Sequence, residues 1–409
     1  MRRSLIGAAA ALTALAATAA LWQADTRQVQ ANGGDRPRFS VDPFWPKPLP
    51  NQWLVGQVAG IAVDRHDNIW IVQRSRTLTT DEAGAEDFWP YNVTTPRVGR
   101  RSDCCKAAPA IMKFNRAGDL LAAWGGPHDP GFLETRCTAA RGCEWPTNEH
   151  GIYVDHNDFV YMAGNGGGNH QVLKFTKNGD FVLQIGKAGV TGGSNATTGG
   201  LNGTPLLGQP ADMEVDPDTN ELYIADGYQN KRVLVVDART GLYRRHWGAY
   251  GNPPNDAPAE PYNPAVLDPD FRNPVHCVRI TEDNLVYVCD RVNNRYQIFT
   301  KSGQFVDEVL YERDTLGNGA VWDIDVSPDR RQRYLYNADG ENNVLSIHNR
   351  RSGDLLSKVG RNGRYAGQFH WVHNLAVDSK GNIYTAEVDT GKRAQKFVPR
   401  GNDGQDRDD

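Results

Sequence analysis

The sequence predicts an all-β protein folded as a six-bladed β-propeller, and three observations support this fold class. A strand–turn–strand unit recurs along the chain in six copies. Each copy is followed by a second half in which two more alternating strands flank a Gly-containing turn. The 42 glycines, 23 prolines and mean hydropathy of −0.58 favour many short strands joined by turns. Four strands per repeat are typical of propeller blades, which bury both faces against their neighbours.

The six copies can be placed in order along the chain. Each has an apolar strand that commonly ends in Val-Asp, then a short turn and an apolar strand with Tyr or Trp. The paired strands are residues 60–64 with 69–72, 152–155 with 159–162, 213–216 with 222–224, 278–281 with 285–288, 324–327 with 334–336, and 375–378 with 383–385. Separate small β domains would need linkers between the copies, and no segment has that composition. The copies are therefore predicted to form one ring.

The N-terminus predicts a secretory signal at residues 1–31. Two arginines precede an Ala/Leu-rich apolar run at residues 5–21, and cleavage is expected after Ala24 or Ala31. An uncleaved anchor is the alternative reading, and without it no stable membrane span is expected. The mature protein is therefore predicted to be periplasmic or secreted.

The rest of the chain divides into an extension, a propeller and a tail. Residues 32–50 are predicted to form an N-terminal extension whose strand joins the last blade and closes the ring. Residues 51–398 are predicted to be the six-bladed propeller, and residues 399–409 a disordered charged tail. Uneven insertions between strands are expected to be surface loops at residues 75–109, 187–208 and 249–272.

The six cysteines are compatible with an oxidising compartment. Cys277 and Cys289 flank a turn centred on Asp283, so in a hairpin they would face each other across two strands. A disulfide is therefore predicted between them. For the other four, the sequence leaves open a vicinal bridge beside a small closed loop, bridges between the two groups, or free buried thiols: Cys104, Cys105, Cys137 and Cys143.

Three histidines occupy the same position of alternate repeats, four residues before an apolar strand residue: His150, His276 and His373. The other three repeats carry Ala59, Ala211 and Trp322 at this position. Because the first strand of every blade lines the central channel, these residues are expected at one depth. Three neutral imidazoles suffice to bind zinc or another divalent transition metal and leave a coordination position open. The alternative is three unrelated structural histidines.

A second ring of side chains is expected above the histidines. The second strand of a blade is antiparallel to the first, so the loop after it returns to the face where the first strand begins. Arg74 and Arg291 lie eleven residues after the matching strand residues of their repeats, and Tyr228 follows the second strand of the third repeat. The two arginines suit a carboxylate, and the tyrosine suits a base. Arg232 and Arg295 are expected mainly to tie neighbouring blades together.

These residues resemble the peptidyl-α-hydroxyglycine α-amidating lyases, a family within the wider class of NHL-repeat propellers. The resemblance covers roughly residues 50–398. The phrases that carry it are GQVAGIAVD at 56–64, HGI at 150–152, DGYQNKR at 226–232, VH at 275–276, DRVNNR at 290–295 and VHN at 372–374. An NHL repeat alone is a weak signal, whereas the phased histidines with the tyrosine and both arginines are specific.

The resemblance implies a zinc ion bound by the three histidines and catalytic roles for Tyr228, Arg74 and Arg291. It also implies a calcium ion in the channel, held by the backbone carbonyls of Val58 and Ile152 and by the residue after the last histidine. That residue is Asn374 here, where the family has an aspartate, so a weaker calcium site is expected.

The function predicted from the sequence is an exported, zinc-dependent lyase. It would cleave a C–N bond of a carbinolamide-type substrate that bears a carboxylate, either a peptide or a small molecule, and release an amide and glyoxylate or analogues. Two alternatives remain: a propeller lactonase or hydrolase, and a non-catalytic NHL-type binding module with a structural channel metal. The net charge of −4 gives no electrostatic case for binding nucleic acid or an anionic membrane surface.

Overall fold

Six four-stranded antiparallel sheets follow one another along the part of the chain described by the computed structural model, residues 36–86, 100 and 102–400. This arrangement confirms the predicted six-bladed propeller, which lies in the compact unit that begins at Pro37. From the innermost strand outward, blade 1 consists of Gln57–Val63, Ile69–Arg74, Ile111–Phe114 and Leu120–Trp124. Blade 2 consists of Glu149–Val154, Val160–Gly164, Gln171–Phe175 and Phe181–Gly186. Blade 3 consists of Asp212–Asp216, Glu221–Asp226, Arg232–Asp237 and Tyr243–Trp247.

Blades 4 to 6 repeat the pattern, with one exception in the last blade. Blade 4 consists of Val275–Ile280, Leu285–Asp290, Arg295–Thr300 and Phe305–Leu310. Blade 5 consists of Asp323–Val326, Tyr334–Asp339, Val344–Asn349 and Leu355–Val359. Blade 6 consists of Val372–Val377, Ile383–Glu387, Arg393–Arg400 and Arg38–Asp42. The outermost strand of blade 6 thus comes from the other end of the chain. It pairs with Arg393–Arg400 from Arg38 opposite Arg400 to Asp42 opposite Lys396.

This strand exchange changes the predicted boundary of the C-terminal tail. Pro399 and Arg400, which the sequence assigned to a disordered tail, lie in a strand paired with Phe39 and Arg38. The reason is that the N-terminal strand supplies the hydrogen-bonding partner that the last segment would otherwise lack. The remainder of the predicted tail, residues 401–409, and the predicted signal at residues 1–31 lie outside the described residues.

The remaining regular elements are short. Trp53–Leu54 and Lys106–Ala107 form a two-stranded parallel sheet. The helical segments of the described residues are Phe132–Thr135, an α-helical turn, and the 3-10 turns Pro50–Gln52, Ser75–Thr77, Ala139–Arg141, Leu201–Gly203 and Ala249–Gly251. Within residues 36–86 and 102–400, no helix has the length and apolar character needed to cross a bilayer.

The hydrophobic core is divided among the junctions between blades. Between blades 1 and 2, Trp70 packs in one cluster with Phe175, and between blades 6 and 1, Ile71 packs in one cluster with Tyr384. Comparable clusters fill the other four junctions of the described ring. The innermost strands contact each other in sequence, including blade 6 with blade 1. This closed ring fixes the residues that begin the innermost strands around one channel.

Three cysteine pairs lie at disulfide distance in the described chain, which is the usage expected of an oxidising compartment. Cys277 and Cys289 bridge the first two strands of blade 4 with a Cα–Cα distance of 4.8 Å, which confirms the predicted pair. The two arrangements left open by the sequence resolve into a vicinal bridge and a small closed loop: Cys104–Cys105 and Cys137–Cys143.

Candidate metal centre and active site

Each of the three phased histidines lies at an irregularity where its innermost strand begins. The register with the second strand shifts between Glu149 and Ile152, between Val275 and Cys277, and between Val372 and Asn374. The residues skipped by the ladder include His150, His276 and His373. An extra residue in one strand bends the strand and changes the direction of a side chain. At these shifts the imidazoles therefore need not follow the alternation of side chains between the two faces of the sheet.

The three imidazoles converge on one point in the channel. Their ring centroids are 5.1 Å apart for His150 and His276, 4.7 Å for His150 and His373, and 4.9 Å for His276 and His373. One ring nitrogen from each lies within 4.8 Å of the other two. All three side chains are buried. The nearly equal spacing is the approximate threefold arrangement that alternate blades predict.

Backbone carbonyls of the intervening blades fix the orientation of each ring. Nδ1 of His150 lies 2.7 Å from the Ala211 oxygen, and Nδ1 of His276 lies 2.5 Å from the Trp322 oxygen. Nδ1 of His373 lies 2.8 Å from the Ala59 oxygen. A carbonyl only accepts, so each Nδ1 carries the proton and donates, which leaves the lone pair on Nε2.

The environment also keeps the imidazoles uncharged. Burial lowers the pKa of His150 and His276 well below the ordinary value, and it lowers the pKa of His373 to about 3. The positive charges of Arg74 and Arg291 act in the same direction. Neutral imidazole is the form that binds metal, so the protonation state and the orientation agree.

This donor set fits a divalent transition metal. Three neutral Nε2 atoms face one point, and their Nδ1–H groups are held by oxygen acceptors, as in established imidazole–metal sites. An all-imidazole set suits zinc and its neighbours better than calcium or magnesium, which prefer oxygen. The histidines thus form a candidate metal centre, and the identity of the ion belongs to the proposal below.

Tyr228 lies directly over this centre. It follows the second strand of blade 3, and its hydroxyl oxygen is 3.0 Å from Nε2 of both His150 and His276. The preceding residue explains the placement: a Cβ on Gly227 would lie 1.9 Å from the Val275 oxygen. Only glycine lets this loop approach blade 4 so closely, and the approach carries the phenol across to His276.

Arg291 reaches the same hydroxyl from blade 4. Its Nη1 donates to the Tyr228 oxygen at 3.2 Å, and its guanidinium carbon lies 4.5 Å from the centroid of the Trp322 ring. Nη2 lies 3.4 Å from Oδ1 of Asn318, and Nε is buried without an acceptor among the described residues. The guanidinium is therefore held by stacking and by long polar contacts, and part of its donor capacity remains for a ligand.

Arg74 approaches from the opposite side, at the end of the second strand of blade 1. Nε donates to the Glu149 oxygen at 2.7 Å, and Nη1 donates to Oε1 of Gln57 at 2.8 Å. Burial lowers the pKa of Arg74, while the nearby Tyr228 and Glu149 raise it. The structure thus brings both predicted arginines and the predicted tyrosine onto the face of the three histidines.

Among the residues predicted to hold calcium, Val58 and Ile152 would contribute backbone carbonyls and Asn374 its side chain. Val58 and Ile152 are buried in the innermost strands of blades 1 and 2. The Asn374 side chain is engaged: its Oδ1 contacts Nδ1 of His373, and its Nδ2 donates to Oδ2 of Asp323 at 3.2 Å. Calcium therefore stays an expectation of the resemblance and enters no step below.

Below the histidines, the channel carries a buried network of charges around Arg279. Its guanidinium lies 3.3 Å from Oε2 of Glu214, 3.6 Å from Oδ1 of Asp323 and 4.0 Å from Oδ1 of Asp325. Burial raises the pKa of each of these carboxyls, to about 8 for Glu214 and about 7 for Asp323. One guanidinium does not neutralise three carboxylates in a medium where charges are costly.

Arg232 and Arg295 lie away from the histidines and have structural contacts. Arg232 pairs with Asp226 at 2.9 Å and also donates to backbone oxygens of the loop before blade 3. Arg295 pairs with Asp290 at 2.8 Å and donates to the Tyr250 hydroxyl at 2.6 Å. Both are buried among acceptors, and this placement agrees with the expected role in tying loops and blades together.

Several contributors to the site carry no sequence signal that would single them out. The oxygens of Ala59, Ala211 and Trp322 belong to the ring positions that lack histidine, and any residue type supplies a carbonyl. Gln57, at the start of the innermost strand of blade 1, contacts Arg74, and Asn318, in the connection between blades 4 and 5, contacts Arg291. The one available clue was the aromatic residue at Trp322, because arginines commonly stack on tryptophan.

Comparison with known proteins supports the same architecture. No protein-family model matches the chain. Peptidyl-glycine alpha-amidating monooxygenase B of Xenopus laevis is 30% identical over 355 residues, covering 84% of this chain and 34% of that protein. Peptidyl-alpha-hydroxyglycine alpha-amidating lyase 1 of Drosophila melanogaster is 29% identical over 270 residues, covering 61% and 44%. NHL repeat-containing protein 3 of Mus musculus is 25% identical over 385 residues, covering 89% and 85%.

The chain spans about a third of the length of the Xenopus laevis monooxygenases that it matches. Among solved structures, a streptogramin B lyase matches with a TM-score of 0.51 and 11% identity, covering 90% of this chain and 100% of that chain. At this identity the likeness concerns the fold alone. The chain is therefore a six-bladed β-propeller of the NHL-repeat type, homologous to peptidyl-α-hydroxyglycine α-amidating lyases and to NHL repeat-containing protein 3.

Proposed function

We propose that the protein is a metal-dependent lyase that cleaves the C–N bond of an α-hydroxyglycine amide and releases an amide and glyoxylate, or close analogues of this pair. The observation that carries the proposal is the position of the Tyr228 hydroxyl. It lies 3.0 Å from two Nε2 atoms of the candidate metal centre and 3.2 Å from Nη1 of Arg291. A proton-transfer group, a metal site and a carboxylate-binding cation therefore meet at one place.

The two arginines define the substrate class. Arg291 keeps a buried Nε without an acceptor among the described residues, and Arg74 adds a second positive charge on the same face. A carboxylate next to the reacting carbon satisfies both, since charge-assisted hydrogen bonds to guanidinium are among the stronger polar contacts in proteins. Trp322 holds Arg291 in place by stacking, so the carboxylate is bound in one orientation.

The metal would be held by Nε2 of His150, His276 and His373, and we propose zinc, or another divalent transition metal, at this position. When bound, such an ion supplies a Lewis acid that makes a nearby hydroxyl group more acidic. The protein contributes the neutral state of the three imidazoles and their fixed orientation through the carbonyls of Ala59, Ala211 and Trp322. These contacts keep the centre organised before substrate arrives.

Tyr228 is the group placed to move the proton. In the reaction, the hydroxyl proton of the substrate leaves its oxygen, the carbon–oxygen bond becomes a carbonyl, and the bond from carbon to the amide nitrogen breaks. The nitrogen gains one proton, so the products balance without water or an oxidant. The Tyr228 hydroxyl beside Arg291 can donate its own proton to the nitrogen and take up the proton that leaves the substrate oxygen, because both positions lie within reach of one hydroxyl group.

The setting of this activity follows from the same features. The substrate is a peptide or small molecule that ends in the carboxylate bound by Arg74 and Arg291. The three cysteine pairs support an oxidising compartment, and we propose that the protein acts in the periplasm or as a secreted protein.

One alternative has support of its own. NHL repeat-containing protein 3 covers 89% of this chain and carries no enzymatic activity in its name. In that case the histidine centre would hold a structural metal in a binding module. A propeller lactonase is favoured by no observation, since the ion site described above is made of imidazoles and not of carboxylates.

Glyoxylate release from N-benzoyl-α-hydroxyglycine tests the proposal. The purified protein, loaded with one equivalent of zinc, should release glyoxylate and benzamide in equal amounts at a rate proportional to enzyme. Loss of release on chelation and its return with zinc would support the metal-dependent lyase. A protein that binds the metal tightly and yet releases no glyoxylate from this or peptidyl substrates would favour the binding module.

A further inference from the structure

The insertion before blade 4 joins the two loops that carry Tyr228 and Arg291. Nδ2 of Asn273 donates to the Gly227 oxygen at 2.7 Å and to the Asn230 oxygen at 2.8 Å, on either side of Tyr228. On the other side, the backbone N–H of Arg272 donates to Oδ1 of Asp290 at 3.0 Å, the residue before Arg291. These hydrogen bonds therefore hold the insertion against the loops that carry Tyr228 and Arg291.

A cavity of about 510 Å³ lies between this insertion and the same two loops. Lys231 and Asn293 line it, three residues after Tyr228 and two residues after Arg291. Three extended residues span at most about 10 Å, so the cavity wall begins within about 10 Å of the Tyr228 backbone. Two to three extended peptide residues span a distance of this order, so the residues that precede a hydroxyglycine at the histidines could reach the cavity.

Two polar groups of the wall lack the partners expected for buried side chains. Lys231 is 6% exposed, and its Nζ donates to the Ala257 oxygen, with no ion pair to a described carboxylate. Asn293 is 5% exposed; its Nδ2 donates to Asp290 and Asp270, but Oδ1 has no donor among the described residues. A spare donor beside a spare acceptor matches the oxygen and the N–H of an amide group.

The rest of the wall is largely apolar and rigid. Its apolar side chains are Pro258, Pro261, Tyr262, Val266 and Pro269. Three prolines restrict the backbone, and the Tyr262 hydroxyl donates to the Arg313 oxygen at 2.8 Å, which fixes the ring. Besides Lys231, the wall carries the cation Arg272, which is paired with Asp268 at 2.8 Å. It also carries the carboxylates of Glu260 and Asp270, so its charges do not single out an anion, and its apolar part suits an uncharged side chain.

We propose that this cavity binds the residue that precedes the hydroxyglycine, with its backbone amide at Lys231 and Asn293 and its side chain against Tyr262 and Val266. This inference rests on the proposed function in one respect, the identity of the reactive group as a hydroxyglycine bound at the histidines. It adds a selection: substrates with a bulky aliphatic or aromatic residue next to the hydroxyglycine are preferred over substrates with only a small acyl group. A difference of one large apolar group in a pocket commonly changes selectivity by tenfold or more.

Neighbouring residues of the insertion provide a matched pair of variants. Val266 lines the cavity and is 57% exposed, whereas Leu267 is 50% exposed and is not part of the wall. Val266→Trp places an indole at the cavity, while Leu267→Trp adds the same group next to it. Because both residues are exposed, neither variant should prevent folding. Circular dichroism and metal content would verify this for each protein.

The measurement is the ratio of kcat/KM for N-acetylphenylalanyl-α-hydroxyglycine to that for N-acetyl-α-hydroxyglycine. We expect a ratio of about ten or more for the native protein and for Leu267→Trp, and a ratio near one for Val266→Trp. Equal ratios in the two variants, or a native ratio near one with active enzyme, would overturn the cavity proposal and leave the lyase intact.

Binding of unreactive peptides separates this inference from the lyase proposal. N-acetylphenylalanylglycine should bind about tenfold or more tightly than N-acetylglycine by calorimetry, and Val266→Trp should remove the difference. If this preference is found but no substrate releases glyoxylate, the cavity stands and the lyase proposal fails. If the two peptides bind equally, the cavity proposal fails whatever the activity.

Discussion

The Nδ1–H group of His373 donates to the backbone oxygen of Ala59 over 2.8 Å, although the two residues are 314 positions apart in sequence. This contact crosses the junction between blade 6 and blade 1, where the ring closes. The orientation of one candidate metal ligand therefore depends on closure of the whole propeller. The same relationship joins blades 2 and 3 and blades 4 and 5 through the other two histidines.

Metal content should follow the three histidines. His276→Ala combined with His373→Ala removes two of three nitrogen donors, so zinc affinity should fall by more than the roughly 10–100-fold that loss of a supporting contact costs. Elemental analysis after dialysis against a weak chelator would measure this. His66→Ala is the control, because His66 is exposed in the turn between the first two strands of blade 1, and the variant should keep one metal per chain. Full retention by the double variant would contradict the site.

Tyr228→Phe should abolish most of the turnover and none of the metal binding. The substitution removes the hydroxyl that lies 3.0 Å from two Nε2 atoms, while the ring and the loop around Gly227 remain. Positioned acid–base groups typically contribute about 10²–10⁴-fold, so kcat should fall by that factor with KM changed little. Steady-state glyoxylate release and metal analysis would test both parts. Unchanged kcat would assign the proton transfer to another group.

Arg291→Lys should weaken carboxylate recognition. Lysine keeps the charge but loses the planar fork and the stacking on Trp322, which lies 4.5 Å away. A hydrogen bond to a charged group contributes about 1.5–3 kcal/mol, so kcat/KM should fall roughly tenfold to a hundredfold. A substrate analogue with a carboxamide in place of the carboxylate should show a smaller loss. An equal loss for both would indicate that Arg291 does not bind the carboxylate.

Glu214→Gln should change how stability depends on pH. Burial raises the pKa of Glu214 from 4.5 to about 8, so between these values the folded chain holds a proton that the unfolded chain has released. The free energy of unfolding therefore decreases with rising pH in this window, by up to about 1.4 kcal/mol per pH unit.

Glutamine removes this contribution with little structural change. One oxygen, Oε2, accepts from both the Ile280 N–H at 3.1 Å and Arg279 at 3.3 Å, and an amide oxygen can replace it. The variant should lose part of the slope and be more stable than the native protein at pH 8. Urea unfolding at pH 5 and pH 8, with the same metal load, measures the difference. Parallel pH profiles would show that Glu214 is ionised in both states.

The Cys277–Cys289 bridge should stabilise both the fold and the metal centre. Replacing both cysteines by alanine raises the conformational entropy of the unfolded chain, because the disulfide no longer closes a loop in it. The free energy of unfolding should therefore fall by about 3 kcal/mol. Cys277 directly follows His276, so zinc affinity should fall as well. Cys137→Ala with Cys143→Ala, in a loop between blades 1 and 2, is the control and should leave zinc affinity unchanged. Equal zinc affinity in both double variants would contradict this coupling.

Sequence patterns were sufficient for the ring and for the histidines because both depend on repetition. The position of His150, His276 and His373 in alternate repeats predicts their common depth in the channel. The hydrogen bonds that orient them could not be predicted, since the oxygens of Ala59 and Ala211 are backbone atoms and leave no mark in the residue type.

The buried charges around Arg279 were missed for a different reason. Glu214 lies in the third repeat, Arg279 in the fourth, and Asp323 and Asp325 in the fifth, so these residues meet only because innermost strands of a propeller share one channel. From the sequence pattern alone, these carboxylates would be placed on the solvent-exposed face of half-buried strands. The cavity beneath the insertion at residues 249–272 could not be predicted either, because its shape depends on hydrogen bonds between segments distant in sequence, from Asn273 to Gly227 and from Asn293 to Asp270.

The alternation of imidazoles and carbonyls gives the ion a mechanical role in addition to its chemical one. Each ligand is oriented by the neighbouring blade, so separating blades 2 and 3, 4 and 5, or 6 and 1 would loosen the ion. Linkage is reciprocal, and an ion that binds only the closed ring must also oppose its opening. The N-terminal strand Arg38–Asp42 belongs to blade 6, which contacts blade 1 where the ring closes. Metal occupancy should therefore slow the dissociation of this strand from blade 6.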